Sequence, residues 1–534
     1  MAAPVPAGDR AGGGVIADPD ATWTYDGSHY PEPLTPMTAS VWFEAMGLGI
    51  QAACRELRAP FGGFRTATLG HWAYESEVEP DWEPDPAAFR EACLDVAARW
   101  EGGLAAAVEQ GTAEMRAMRP ARPPADEAVG MLDRLMEIVH EQWRIHFVVV
   151  LGVHVAREVL AERYAELLGG GALEPYRLLE GLPNATLDAD DELAALAALA
   201  ERLDVADLIR ELPAERALAE LRRLHHGREL LAALDGHLTR FGARSRLHEL
   251  AEPRYAERPE FVVESIRLRL ERPGPPPADR AQRAAERDRL EAEVLARVDP
   301  GERDQFAALL DRVKAAAPLE EGHTLHIDQR GLQAVREAFL GFGARLVAEG
   351  RLDAAGDVFL LDRHELRRAL RRDHGRGLQA LARRRRKELV VAAAQVPELA
   401  VGAPPPRDAA PDPIFEKFYG TPGEQRGDGA HLIGYGASPG RAAGTARIVR
   451  SAADLGRVSA GDVLVCTTTT PSWTPVFGSL AGVVTDTGGI LCHAAVVARE
   501  YGLPAVVGAH LATTRIAEGS RVTLDGTTGD VWIG

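Results

Sequence analysis

Residues 482–508 read GVVTDTGGILCHAAVVAREYGLPAVVG, and this stretch decides the architecture of the C-terminal part of the chain. Gly482 to Thr485 is a short β-rich run, Gly488 and Gly489 make a two-glycine turn, and a helix begins at His493. Glycine permits positive φ or close backbone approach at such a turn. A helix start presents N–H groups without intrahelical partners and the positive end of a dipole. An imidazole there sits where a phosphoryl group is stabilised, and Ala494 and Ala495 leave space around it. A buried histidine on a capped helix fits the same residues, so the stretch by itself leaves carrier and core histidine both open. Cys492 reads as a small packing residue rather than a nucleophile.

Outward from this stretch, 431–534 is a series of short β-runs with glycine turns: GTARIVR, GDVLVCTT, AGVVTD, PAVVG, RVTLDG and GDVWIG. This is a compact α/β unit of roughly a hundred residues. Before it, 401–430 is rich in Pro, Gly and charge and reads as a linker, stiffest at Pro404–Pro406. Residues 21–400 show helical periodicity. Asp191–Leu203 and Ala217–Leu234 repeat apolar residues at i, i+3 and i+4 with charges opposite. Breaks at 120–124, 169–171, 183, 253 and 273–277 cut the region into many helices. Neither heptads nor a fixed-period repeat is present. Residues 1–20 read as a loose tail, without the basic and apolar regions of a signal peptide. The predicted fold is multidomain: a mainly α-helical domain followed by an α/β domain.

Composition narrows the function. The 534 residues carry a net charge of −18, which repels phosphate backbones and argues against nucleic acid as a partner. Every long apolar run is interrupted by charge or histidine before membrane-spanning length; the nearest, Ile145 to Ala156, contains His146 and His154. Four cysteines without pairing pattern or CxxC spacing speak against a disulfide scaffold or a cysteine zinc site and fit a reducing cytoplasm. Lysine is confined to Lys314, Lys387 and Lys417.

The stretch GGILCHAAVVAREYGLPAVVG resembles the phosphohistidine signature of the mobile, swivelling domain of the PEP-utilising enzymes. That family includes pyruvate phosphate dikinase, PEP synthase and the rifampin phosphotransferases. The resemblance implies that His493 is the phosphocarrier, with Gly488, Gly489 and Cys492 around the phosphoryl group. Gly434–Gly440 resembles the opening motif of that domain. Pro471–Phe477 is similar to the rifampin phosphotransferase variant, with Thr470 where an Asp is usual and Ser472 for a Gly; Trp473 and Thr474 are then candidate phosphate or substrate contacts. A turn-forming role suits Thr474 equally.

The helical region is similar to the substrate domain of the same enzymes. Tyr30–Met37 (YPEPLTPM), Phe241–Arg244, Pro253–Tyr255 and Asp357–Leu361 with Glu365-Leu366 carry the likeness, and it makes Arg244 a candidate substrate contact. An acidic pair expected in the family is incomplete, with His248 and Glu249 in that area. The basic run 383–388 (RRRRKE) falls where the family places a helix at the acceptor site. Arg383 and Lys387, four apart, share a face and could neutralise a transferring phosphoryl group; a solvated arginine face with carboxylate partners is the other reading. Glu321 and His323 lie where the acceptor pocket contributes polar residues, and His323 is a candidate base. The segment 323–328 (HTLHID) is not read as a zinc site, because His323 and His326 stand on a non-helical run with no third ligand near. His225, His226, His140, His146 and His154 read as polar residues of the fold.

Full-length members of the family also carry an ATP-grasp-type nucleotide domain, a PEP-binding barrel, or both. No G-x-x-x-x-G-K-[ST] run is present, the first 313 residues contain no lysine, and a barrel of about 250 residues has no room. The resemblance therefore implies a helical acceptor-binding domain followed by a phosphohistidine swivelling domain. The expected function is a phosphotransferase component. His493 is charged by a separate ATP-grasp-type donor protein, which also holds ATP and Mg²⁺, so that no cofactor or metal is expected on this chain. Phospho-His493 then delivers to a small organic acceptor, a natural product among the candidates, with dehydration or condensation as further outcomes. The acceptor pocket should lie between helices and be largely apolar. The competing expectation is a phosphorylation-independent lyase, dehydratase or small-molecule binding protein on the same scaffold.

Overall fold

The computed structural model describes residues 18, 20–120, 124–171, 173–271, 280–371, 377–403, 430–450, 452–469 and 473–534. Most of the expected linker (404–429), most of the tail, and Thr470, Pro471 and Ser472 lie outside the described residues.

The C-terminal unit is built on an eight-stranded sheet. Its strand order is His431–Ile433, Asp530–Ile533, Arg521–Asp525, Arg441–Val449, Val463–Cys466, Gly482–Thr485, Ala505–Val507, Tyr435–Ser438. The four strands from Arg441 to Val507 pair in parallel, and the flanking strands pair antiparallel. Val463–Cys466 and Gly482–Thr485 are buried at every position, which is why they read as continuous apolar runs. One core holds Trp473, Phe477 and the buried face of the helix His493–Tyr501; a second holds Leu432, Val465, Val522 and Val531.

Helices dominate residues 36–393. The apolar run at 145–156 belongs to a helix of 44 residues, Ala125–Leu168, about 66 Å long at 1.5 Å per residue. It packs against Glu44–Leu57 in the largest core, around Trp42, Trp143, Phe147 and Phe339. The approach is close: a Cβ on Gly49 would lie 2.6 Å from Trp143 Cβ. A second core gathers the helices between Ala185 and Glu271. Asn184 starts this group by accepting the N–H of Thr186 (2.9 Å) and Leu187 (3.1 Å) on its side-chain oxygen.

Two features depart from the sequence expectation. Residues 21–400 are mainly helical, as expected, but also contain a four-stranded antiparallel sheet of Thr22–Tyr25, Phe64–Leu69, Trp72–Glu77 and Ala400–Gly402 that was not anticipated. Gly70 (φ 58°) and His71 (φ 77°) make a two-residue turn between its longest strands, the geometry that hairpin twist favours. The expected linker also begins later, because Thr22, Trp23 and Thr24 pair with Gly402, Val401 and Ala400. Among the described residues, no helix is long and apolar enough to cross a membrane.

Candidate functional site

His493 opens its helix behind Cys492, which is extended (φ −68°, ψ 163°). Gly488 has φ 102°, and a Cβ there would lie 2.8 Å from Cys492 Sγ; glycine is required on both grounds. Thr485 Oγ1 donates to Thr487 O at 2.7 Å, and Arg499 Nη1 donates to the carbonyls of Ile490 and Ala437 at 2.8 Å each. These bonds hold the loop between strand and helix. Gly489 accepts the N–H of Cys492 at 3.1 Å. Burial pushes the Cys492 thiol up to about 11, so it is neutral and a packing residue.

The imidazole of His493 faces the helical region. Its Nδ1 lies 3.4 Å from Glu321 Oε1, and the side chain is 17% exposed. Glu321 also accepts from Thr186 Oγ1 at 2.5 Å. Burial opposes the charge on Glu321, but His493 and Thr186 hold its carboxyl below the usual range. A carboxylate at Nδ1 fixes the Nδ1–H tautomer and leaves the lone pair on Nε2. That Nε2 is buried and has no hydrogen-bond partner among the described residues, and such an orphaned polar atom calls for an explanation.

The surrounding contacts bind this face of the C-terminal unit to the helices. Ser28 Oγ lies 3.5 Å from Thr487 Oγ1. Arg283 Nη1 donates to Arg499 O at 2.7 Å. The Tyr501 hydroxyl donates to Asp190, which also pairs with Arg269. Leu491 packs in one core with Phe306, Leu310 and Val313.

The other residues expected at the site are placed as follows. Arg244 is buried and donates to Gln329 Oε1 (3.3 Å) and Ala185 O (3.2 Å). Burial lowers its pKa, opposed by Tyr255, Glu321, Asp190 and Asp188. It is therefore a cation within the field of the carboxylate that meets His493. Trp473 is a core residue, and Thr474 is buried at the start of the helix Thr474–Phe477. Arg383 and Lys387 are not brought to His493. Both lie on the helix Leu378–Ala393, which packs on Ala355–Leu360. Arg383, 61% exposed, pairs with Asp353 at 2.7 Å, and Lys387 is exposed. The rest of the basic run takes carboxylates as well: Arg384 with Glu388, Arg385 with Glu365 and Arg386 with Asp357. Four consecutive arginines on a helix point around its axis, and here each faces a different acidic neighbour.

His323 is buried, and its segment is helical rather than irregular. The helix Leu319–His323 continues as a π-helix, Thr324–Gly331, whose i→i+5 pattern stacks residues five apart. His323 and Asp328 consequently share a face. His326 instead sits edge-on to Trp100, with ring centroids 6.0 Å apart. His146, from the long helix, joins the first pair: its ring is 4.7 Å from that of His323, and its Nδ1 is 3.0 Å from Asp328 Oδ1. Burial opposes charge on Asp328, but His146, His323 and His248 hold it at about 2. Burial, then His146, brings His323 down to about 4; burial brings His248 to about 4 as well, in a field that includes Asp328, His29 and His146. His146 and His323 thus meet one carboxylate, with His248 in its field, just after the helix that carries Glu321. The sequence singles out His323, His146 and His248, but neither their relation to one another nor the part of Asp328 is legible in it. Spacing five along HTLHID was the available signal, and it is visible only to a reader who expects a π turn.

A groove of about 380 Å³ opens between Ala185–Arg202, His225–Phe241 and the π segment. Asp188, Asp191, Glu192, Arg240 and Arg330 line it together with Ala185, Phe241 and Leu325.

Comparisons with known proteins follow the same division. Residues 458–529 match the PEP-utilising enzyme mobile domain, and residues 146–321 match the rifampicin phosphotransferase fourth domain. Chondramide synthase cmdD of Chondromyces crocatus is 29% identical over 539 residues, covering 95% of this chain and 14% of that protein. The uncharacterized phosphotransferase YvkC of Bacillus subtilis (strain 168) is 30% identical over 420 residues, 77% of this chain and 49% of its own length. A rifampicin phosphotransferase of Streptomyces sviceus is 34% identical over 349 residues, 62% and 39% respectively. The chain thus spans half or less of these relatives. The resemblance read from the sequence is shown in both parts of the chain, which is phosphotransferase-like.

Proposed function

We propose that this chain is the acceptor side of a phosphotransfer system, in which His493 Nε2 carries a phosphoryl group supplied by a separate ATP-dependent subunit. The observation that carries the reading is the His493–Glu321 pair: a carboxylate of the helical region holds Nδ1, and Nε2 is left unbonded. The Nε2 lone pair attacks phosphorus while the bond to the donor oxygen breaks. Glu321 stabilises the positive charge of the phosphorylated ring through Nδ1–H. An acceptor hydroxyl then attacks phosphorus, the P–N bond breaks, and the imidazole leaves as the neutral Nδ1–H form. The hydroxyl proton passes to an imidazole of the cluster around Asp328, His323 among them. Positioning and charge supply most of the rate in such transfers, and Arg244 is a buried cation in the field of Glu321. The relatives' names, a chondramide synthase and a rifampicin phosphotransferase, favour a natural product as the acceptor, with dehydration or condensation as outcomes once the oxygen is activated. An ATP-dependent donor, together with the cysteine pattern, favours a cytoplasmic setting.

A second reading is a lyase or dehydratase that uses the pocket without phosphorylation. The imidazole cluster favours it, since it offers acid–base groups without any carrier. Intact mass of the wild-type chain and His493→Ala, after incubation with ATP and candidate donor proteins, separates the two. The first reading expects one phosphoryl group on the wild type and none on the variant. A wild-type chain that stays unmodified with every donor, yet turns over an acceptor, establishes the second.

A further inference from the structure

We propose that His146, His323 and Asp328 form a binding site for one divalent first-row cation such as zinc, manganese or iron(II). The three offer two imidazole nitrogens and a carboxylate oxygen within 4.8 Å of one another, a donor set that binds such ions and leaves coordination positions open. Three observations carry the assignment. First, Asp328 is 8% exposed, and its Oδ1 makes no aligned hydrogen bond among the described residues, only the contact with the His146 ring. A buried carboxylate oxygen without a hydrogen bond is costly unless a cation satisfies it. Second, His146 Nδ1 lies 3.0 Å from that oxygen, yet is itself without a hydrogen bond. The two atoms are close but not aligned as donor and acceptor, the relation of two ligands that converge on a shared ion; at metal–ligand bonds of about 2.0–2.2 Å, adjacent ligand atoms sit about 3 Å apart. Third, the His323 Nδ1–H donates to Leu319 O at 2.7 Å. This backbone bond fixes the tautomer and turns the Nε2 lone pair into the cluster, the arrangement that orients metal-bound histidine.

The π turn serves the site directly, because it places a nitrogen and a carboxylate five residues apart on one face of a helix. His248 and His29 lie in the field of Asp328, and His29 is itself paired with Asp26. If an acceptor hydroxyl fills an open position, the ion would lower its pKa and orient it; His323 would then be a ligand, and the proton would pass to His248, an imidazole of this region that is not a ligand. The cation site itself does not depend on phosphotransfer by His493.

The test uses the full chain without any donor protein. After treatment with a chelator, the wild type is equilibrated with zinc, manganese or iron(II) alone, and bound metal is measured by inductively coupled plasma mass spectrometry after gel filtration. One equivalent per chain is expected for at least one of these ions. Losing an outer-shell partner weakens metal binding about 10–100-fold, so Asp328→Asn and His323→Ala should weaken it by more than about a hundredfold. His326→Ala, which alters the ring on Trp100, should bind as the wild type does. Absence of stoichiometric metal in the wild type overturns the proposal, as does undiminished binding in both ligand variants. Should the ligand variants fail to fold, X-ray absorption of the metal-loaded wild type decides: a nitrogen and oxygen shell supports the site, and a sulfur shell overturns it. Phosphorylation of His493 is read separately by mass, so either reading can fail without the other.

Discussion

Replacing Glu321 tests the geometry of the carrier histidine most directly. Glu321→Gln keeps the side-chain shape and a neutral acceptor for Nδ1–H but removes the charge; Glu321→Ala removes both. At 3.4 Å, two full charges at an effective dielectric of about 20 interact by about 5 kcal/mol, an upper bound because the ring carries its charge only when phosphorylated. A hydrogen bond to a charged group contributes about 1.5–3 kcal/mol net, and the long separation argues for the lower half of that range. The rate of His493 phosphorylation should therefore fall about tenfold to a hundredfold in Glu321→Ala, and less in Glu321→Gln. The assay needs no donor protein: phosphoramidate phosphorylates imidazole chemically, intact mass gives the rate, and ³¹P NMR distinguishes the two ring nitrogens. Wild type should carry phosphate on Nε2, and Glu321→Ala should lose that preference. Modification of the wild type at Nδ1, or an Ala variant with unchanged rate and position, would refute the reasoning.

Other outcomes follow from the same contacts. Arg383→Ala removes an exposed pair with Asp353, and should change stability by no more than about 1 kcal/mol and leave His493 labelling unaltered; a large loss of labelling would return this arginine to the site. Arg385→Ala breaks a buried pair and leaves Glu365 with only the Asp362 N–H, so denaturant unfolding should show a loss of about 3 kcal/mol, the lower end for a broken buried pair. His237 is pushed down to about 4 by burial, with Arg244 and Arg240 adding to the shift. Between its unfolded value near 6.5 and about 4, the unfolded chain binds a proton that the folded chain refuses, so stability is full above about pH 6.5 and falls as pH drops through this window. His237→Gln should flatten the melting temperature against pH there; an unchanged slope would assign the pH dependence to other groups.

The parallel strands and the helix after the glycine turn were legible because their burial is locally encoded. Val463–Cys466 and Gly482–Thr485 are apolar on both faces, and one sequence window states the whole pattern. The N-terminal sheet was not legible in the same way. Its strands Thr22–Tyr25 and Ala400–Gly402 are short and meet across the length of the helical region, so no window contains the pairing, although the Gly70-His71 turn flanked by FRTATL and WAYESE marked one hairpin. The site shows the same limit. His493 could be singled out from its neighbours, but its partner Glu321 stands 172 positions earlier. Arg383 and Lys387 shared a helical face, as their spacing requires; the spacing says nothing of Asp353, which lies 30 residues away. HTLHID was read as two histidines three apart, whereas an i→i+5 turn selects one of them and the aspartate instead.

The junction at Tyr501 has a consequence for any cycle in which the C-terminal unit leaves the helices. Asp190 is bonded to both Tyr501 and Arg269. If the unit withdraws, a phenol departs for water, and the aspartate keeps its guanidinium. On the neighbouring contact, Arg283 meets a backbone carbonyl of Arg499. Separation therefore leaves no isolated ion at Asp190, whereas the Arg283–Glu500 and His493–Glu321 pairs also cross the seam and would be given up on opening. At Asp190, electrical neutrality is resolved within the helical body whether or not the seam is closed.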